Sequence, residues 1–383
     1  MRNSTSRRII ETLLEKAAAK EPWRTEHSQI RSATYTDSGH LALEHQKLFQ
    51  SMPQAIALSA DLPANGSALT RECGGVDVLL TRNSDGEANA FLNVCRHRSS
   101  RVVTEERSCS SRLTCPYHAW SYDLNGSLVA LPDNASFPEV TVPQEGLRKL
   151  PIYEQQGVIW VTPSPSTTPV PGPDLGPFSE DFESFELSAY EHWRSHRFDL
   201  EMNWKLVIDT FLEPYHFASL HRSTVGPFFI SNLCHAQRHG SHIREVLPRK
   251  SLLDLSNVDP GLWDVVPHSA VVYVLFPATV LVMQIDHVET WRVIPHPTDP
   301  SKSVCDLDFY IPLDSGESSQ VHWEKNWQIT IDTVINEDFL AMTGVQRGLS
   351  SGAFSSVTAG ANEPALSMFH DILKEQLMPL EKS

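Results

Sequence analysis

The chain is short of positive charge, of long apolar runs and of cysteine, and each shortage removes a class of function. Its 383 residues hold 31 Lys and Arg against 47 Asp and Glu, a net charge of −16. That balance repels nucleic-acid phosphates and anionic membrane surfaces, so neither is expected as a partner. No run of about 18 apolar residues occurs, so no bilayer span is expected. The six cysteines, at 73, 95, 109, 115, 234 and 305, show no disulfide-like spacing,. There is no internal repeat, and the length leaves room for two domains and a sizeable core.

The N-terminal stretch from Met1 to Ile9 is rich in Arg and Ser, as organelle transit peptides are,. Ile10, Leu13, Leu14, Ala17 and Ala18 recur at helical spacing, however. Glu11 and Glu15 add acid that such peptides avoid,. An ordinary amphipathic first helix is therefore expected. Residues 1–44 are assigned to a helical segment packing on the C-terminal domain.

Residues 45–165 alternate short apolar runs with turn chemistry. Val76-Asp-Val-Leu-Leu-Thr81, Ala90-Phe-Leu-Asn-Val94 and Val158-Ile-Trp-Val161 read as strands, with turns at Asn83-Ser-Asp-Gly86 and Asp123-Leu-Asn-Gly126,. A small all-β domain follows. A Pro-rich, semi-rigid linker is placed at 166–178,. From 179 to 383 the character changes. Glu201 to His221 has helical spacing, Val271 to Ile294 and Val304 to Ile311 are β-rich, and Trp323 to Gly348 returns to helix. Helices laid on an antiparallel sheet, with a cavity between the layers, make the whole chain α+β.

What the sequence does contain is two Cys/His pairs, Cys95-Arg-His97 and Cys115-Pro-Tyr-His118, separated by 17 residues. Two thiolates and two imidazoles suit a [2Fe–2S] cluster of Rieske type, with both Cys on one iron and both His on the other. Zinc also takes Cys₂His₂, but zinc fingers pair Cys with Cys and His with His. One Cys and one His in each loop favours the cluster. Cluster thiolates need reducing surroundings, so a cytoplasmic location is expected, and the remaining thiols read as small buried apolar groups.

A second constellation lies between Asn203 and His221. Asp209, Glu213 and His216 fall on one helical face amid Phe211, Leu212 and Phe217,. His216 and His221 would stand about 140° apart on a regular helix, so joint chelation requires the helix to end or bulge. Pro214 supplies a local cause by removing an N–H. Two His and one carboxylate on one face of Fe(II) leave coordination positions open. The acid candidates in the later helix are Asp332, Glu337 and Asp338, and composition does not choose among them. Cys234, His235, His239 and His242 form a rival cluster beside Arg238 and Arg244, which reads as solvated surface or loop.

Taken together, C-x-H–x₁₇–C-P-Y-H, N-W-K-x₃-D-x-F-x-E-x-Y-H-x₄-H and a late N-E-D resemble the α-subunit of Rieske non-haem iron oxygenases over nearly the whole chain. The resemblance implies a Rieske domain and a helix-grip-like catalytic domain with a long C-terminal helix. It implies that Cys95, His97, Cys115 and His118 hold the cluster, and that His216, His221 and Asp338 hold the mononuclear Fe(II). Glu213 is then the relay to His118 of a neighbouring subunit in a homotrimer, and Asp209 supports the iron ligands. Glu at position 213, where many members carry Asp, is more like members acting on quaternary ammonium compounds. Ser99 stands where Gly is common and Thr210 where Asn is frequent. Neither loop carries the extra cysteine of respiratory Rieske proteins, so a lower-potential, ferredoxin-like cluster is implied.

By the same resemblance, an NAD(P)H-dependent flavin/iron–sulfur reductase or a ferredoxin delivers electrons, and O₂ is the co-substrate. The expected reaction is hydroxylation, dihydroxylation or oxidative demethylation of a small aromatic or quaternary or N-methyl amine molecule. Phe211, Phe217, Tyr273, Phe276 and Trp291 are candidates to line its pocket, although core packing accounts equally well for each. Asp286 and Glu289 are candidates to hold a cation, or to face solvent. Two other readings stay open: an electron carrier with a docking module, and a binding module with an apolar cavity. Three irons per chain favour the oxygenase, and two favour the carrier.

Overall fold

The computed structural model describes residues 4–142, 145–165, 171–316 and 319–378. Part of the Pro-rich linker, 166–170, lies outside the described residues, and 171–175 has no regular secondary structure. The chain divides into two compact units: His45–Asp174 with Glu186–Glu191, and Met1–Glu44 with Leu175–Phe185 and His192–Ser383.

The first unit is built from short antiparallel strands. Ala88–Leu92, Val76–Arg82, Ser67–Cys73 and Arg107–Cys109 form one sheet in that order. Ile152–Gln155, Val158–Val161 and Gln54–Leu58 form a second, and Leu113–Thr114, Ser121–Tyr122 and Leu128–Ala130 a third. Both expected turns close, Gly86 N–H donating to Asn83 O at 3.1 Å and Gly126 N–H to Asp123 O at 3.0 Å. Gly126 has φ +82°, and a Cβ there would stand 2.3 Å from the Phe91 ring, so only glycine fits,. Leu79, Phe91, Trp120, Tyr122 and Leu128 are packed together beneath the two Cys/His loops.

The second unit is organised around a seven-stranded antiparallel sheet. Its order is Tyr190–Leu200, Ser303–Pro312, Val288–Pro295, Thr279–Met283, Ser269–Leu275, His242–Pro248 and His235–His239. Helix Trp204–Phe211 packs on strand Val288–Pro295, and helix Pro364–Leu377 packs on the two strands at the far edge. The first helix, Ser4–Ala19, buries Ile9, Ile10 and Leu13, in keeping with its amphipathic spacing,.

Two expectations need correction here. Glu201 to His221 is not one helix: the α-helix runs Trp204–Phe211, and a 3₁₀ turn follows at Tyr215–Ala218. Asn203 caps the helix by accepting from Lys205 N–H at 3.0 Å, and Pro214 follows close behind its end,. Cys234 to His242 is not a solvated loop but the hairpin of strands His235–His239 and His242–Pro248. Its two arginines are accommodated by pairing: Arg238 pairs with Glu375, and Arg244 is fully buried against Asp181 Oδ2, which also accepts from Tyr273 Oη–H at 2.9 Å.

Candidate active site

The two Cys/His loops share one construction. Cys95 N–H donates to Ser100 O at 2.7 Å, and Ser99 N–H donates back to Cys95 O at 3.0 Å. Cys115 N–H donates to Trp120 O at 2.9 Å, and Ala119 N–H returns to Cys115 O at 3.0 Å. Ser99 and Ala119 take left-handed φ values of +58° and +59°, which explains why position 99 favours glycine,. Both Cys are buried and unpaired in any disulfide, and the His97 and His118 rings lie 4.5 Å apart between centroids. The Tyr122 hydroxyl is 3.2 Å from Cys95 Sγ and accepts from Arg96 N–H at 3.0 Å.

His97 Nδ1 is buried with no hydrogen-bond partner among the described residues. A buried ring nitrogen left open beside two buried thiols is what a metal-bound imidazole requires. The donor set fits a [2Fe–2S] cluster.

In the other unit, His216, His221 and Asp338 each present one donor atom, all within 4.8 Å of one another. His216 Nε2 is 3.0 Å from His221 Nε2, and Asp338 Oδ1 is 3.3 and 3.1 Å from the two. Yet Asp338 Oδ1 is buried without a properly directed hydrogen bond. The three atoms lie close enough together to share one metal ion, and the donor set suits one,.

The chain's bends create that convergence. After the helix ends, His221 N–H donates to Phe217 O at 3.2 Å, turning the second imidazole towards the first. Gly226 completes the turn, since a Cβ there would stand 2.5 Å from His221 O. Asp338 comes from a π-helical stretch, Ile331–Phe339, inserted in the long C-terminal helix. Such bulges re-aim side chains that a regular helix would place elsewhere.

Two carboxylates orient the imidazoles from behind. His216 Nδ1–H donates to Glu213 Oε1 at 2.5 Å, and His221 Nδ1–H donates to Glu337 Oε2 at 2.6 Å. Each interaction fixes the tautomer that leaves Nε2 free as a ligand. Burial pulls His216 down, but Asp338 and Glu213 outweigh it and raise the metal-free ring to about 10. Burial raises Asp338, whereas His216 and His221 hold it below the usual carboxylate range.

These donors open onto a cavity of about 410 Å³. The surface of its walls is mainly apolar, with Phe211, Phe217, Phe229, Val272 and Val282 contributing, and Thr210 adds a hydroxyl with no hydrogen-bond partner among the described residues. Polar residues also line it, Arg249, Gln284, Asp286, His287, Glu289 and His322 among them.

Residues 187–378 match the family model of the ring hydroxylating alpha subunit (catalytic domain). The chain belongs to the ring hydroxylating alpha subunit family. Residues 52–153 match the Rieske [2Fe–2S] domain. The carnitine monooxygenase oxygenase subunit of Escherichia coli K12 is 25% identical over 364 residues, covering 90% of this chain and 93% of that protein. The glycine betaine monooxygenase oxygenase subunit of Chromohalobacter salexigens is 28% identical over 187 residues, 49% of this chain and 42% of that protein. A quaternary ammonium Rieske monooxygenase solved with L-carnitine shares the fold at TM-score 0.76 and 18% identity, covering 91% of this chain and 96% of that one.

This ring hydroxylating alpha subunit is therefore a terminal oxygenase of the Rieske non-haem iron class. It works with a [2Fe–2S] cluster, mononuclear Fe(II), O₂ and electrons from a reductase. No helix among the described residues is long and apolar enough to cross a membrane.

Within this ring hydroxylating alpha subunit, Phe211 and Phe217 line the cavity, but three other aromatic candidates do not. Tyr273 lies among Phe178, Phe182 and Phe185 on the opposite face of its strand, where its hydroxyl meets Asp181. Phe276 is buried beside Phe369. Trp291 sits behind the wall, against Phe211 and Phe339, and donates its Nε1–H to Glu289 Oε2 at 3.0 Å. Asp209 also departs from expectation: its carboxylate meets Tyr35 Oη–H at 2.7 Å and His370 Nε2 at 2.9 Å rather than the His216 or His221 imidazole.

Among the three late acids, Asp332 pairs with Gln328 and Asn336 on the exposed side, and Glu337 orients His221. Arg249 and Gln284 went unremarked in the sequence, where nothing distinguishes them from surface polar residues.

Proposed function

We propose that this chain oxidises a C–H bond of a small N-methyl or quaternary amine held in the cavity, removing the methyl group. His216, His221 and Asp338 hold the Fe(II), and Cys95, His97, Cys115 and His118 hold the cluster. When bound, the cluster supplies electrons one at a time and the Fe(II) activates O₂. The observation that carries the reading is the convergence of three donor atoms on the wall of a largely apolar cavity.

The protein's own part is orientation and exclusion of water. Glu213 and Glu337 hold the imidazoles in their ligating tautomers, and the Phe walls keep the reacting C–H group dry,. The faces of Phe211, Phe217 and Phe229 offer a cation–π surface for an ammonium group. Hydroxylating an N-methyl carbon consumes O₂, two electrons and two protons. One oxygen leaves as water, and the hydroxymethyl amine releases formaldehyde and the demethylated amine.

Glu213 also serves as the relay from His118 of a neighbouring subunit, in a homotrimer working in the cytoplasm with an NAD(P)H-dependent reductase or ferredoxin. The test is NADH and O₂ consumption, with formaldehyde release, across N-methyl compounds and aromatic acids using a generic reductase. Tight coupling with formaldehyde on N-methyl compounds supports the reading, and coupling to a ring diol instead overturns it. Glu213→Ala is expected to keep the cluster spectrum and, with Fe(II) supplied at saturation to offset the lost orientation of His216, to lose turnover by at least about tenfold, since the relay acts through positioning,.

A further inference from the structure

Outside the donor triad, one charged group lining the cavity has hydrogen-bonding capacity to spare among the described residues. Arg249 follows strand His242–Pro248, and its guanidinium lies 4.6 Å over the Phe229 ring. Its one side-chain hydrogen bond among the described residues is Nη2–H to Gln284 Oε1, at 2.8 Å. Its Nε is buried without a partner, and no carboxylate among the described residues forms an ion pair with it. Because the Gln284 carbonyl is taken up by Arg249, the Gln284 amide group is left as a further donor facing the same cavity,.

The cavity's two acids outside the donor triad are in the opposite condition. Glu289 accepts from Thr330 Oγ1–H at 2.8 Å and Trp291 Nε1–H at 3.0 Å, and its Oε1 is 3.3 Å from His287 Nε2. Asp286 is bound by His287 at 2.9 Å and His322 at 2.7 Å. The acids are satisfied by the protein, whereas the guanidinium and the amide have donors to spare. A guanidinium facing a largely apolar cavity with open N–H groups calls for an acceptor ligand, and its planar fork matches a carboxylate.

Resting on the oxygenase reading above, we infer that the substrate carries a carboxylate and that Arg249, with Gln284, binds it. From Arg249 the wall runs through Phe229 to Phe217, ring centroids 5.4 Å apart, and then to His216 and His221 at 5.0 and 5.3 Å. The acid is anchored at the Arg249 end, and the carbon to be oxidised lies along the Phe faces towards the donor triad. Arg249 is a specificity-determining residue in this account.

The test is ligand binding to the loaded enzyme by calorimetry, using matched probes. These are N,N,N-trimethylglycine against choline, N,N-dimethylglycine against N,N-dimethylethanolamine, and benzoate against benzyl alcohol. The acid of at least one pair is expected to bind more tightly than its alcohol. Arg249→Met weakens acid binding about 30- to 1,000-fold, Arg249→Lys weakens it less, and alcohol binding changes by less than about threefold. Retained visible absorbance of the cluster shows that the variants are folded. Acids that bind no better than their alcohols, acids that do not bind at all, or an Arg249→Met variant that keeps its acid affinity each overturn the inference. Binding is read without turnover, so failed oxidation with intact acid selectivity counts against the oxygenase reading alone. Turnover without acid selectivity counts against Arg249 alone.

Discussion

Glu337 Oε2 stands 2.6 Å from His221 Nδ1 and accepts a second hydrogen bond, also 2.6 Å, from Thr224 Oγ1. The carboxylate is fixed from two sides and in turn fixes the imidazole. Orienting groups of this kind typically hold 10- to 100-fold in metal affinity. Glu337→Ala is therefore expected to weaken Fe(II) binding by roughly 10- to 100-fold while leaving the cluster spectrum unchanged. Ferrous titration of metal-free protein measures it, and unchanged affinity contradicts the role given to Glu337.

Glu245 makes stability depend on pH. It is fully buried in strand His242–Pro248, no N–H or O–H group among the described residues donates to its carboxyl, and burial pushes it up to about 8 against the lowering effect of the Cys234 thiol. Its folded value lies above its unfolded one. The stability it contributes is complete below the unfolded value of about 4.5 and is lost as pH rises through about 8,. Glu245→Gln removes that dependence. Relative to the variant, the wild type is expected to lose about 4 kcal/mol between pH 5 and pH 9, read from denaturant midpoints. Parallel pH profiles for the two proteins contradict a buried neutral carboxyl.

The Trp204-Lys205 pair matters through Glu44. Lys205 Nζ lies 2.6 Å from Glu44 Oε1, and Trp204 Nε1–H donates to Glu44 Oε2 at 2.8 Å, all fully buried. Burial raises Glu44, but Lys205, His40 and Trp204 outweigh it and keep the carboxylate ionised. Lys205→Met strands that charge and is expected to cost about 3–5 kcal/mol of stability. Adding Glu44→Gln recovers most of the loss, because it removes the stranded charge and keeps an oxygen to accept from Trp204 Nε1–H,. A double variant no more stable than Lys205→Met contradicts this.

Short-range chemistry was legible in the sequence and long-range geometry was not. The Cys/His loops announce themselves because each ligand pair is two or three residues apart on a rigid turn. His216 and His221 are nearly as local, with Pro214 foretelling the break that brings them together. The third donor, 117 residues after His221, depends on a π-helical stretch that no periodicity signals. That stretch is why Asp338 and Glu337, adjacent in sequence, reach the same two histidines from different sides. Strand faces were equally hidden. Ala270 and Val272 line the cavity, which sends Tyr273 to the far side, but a fully buried strand shows no polar alternation to reveal this,. The hairpin from His235 read as surface because its arginines are neutralised by partners distant in sequence, Arg238 by Glu375 and Arg244 by Asp181.

Iron analysis of fully loaded protein tests the central claim most directly. The account predicts three irons per chain in the wild type, and two in His216→Ala with the visible cluster spectrum intact and product formation abolished. A wild type that holds only two irons per chain, with a complete cluster spectrum and no ferrous centre beyond it, contradicts the account.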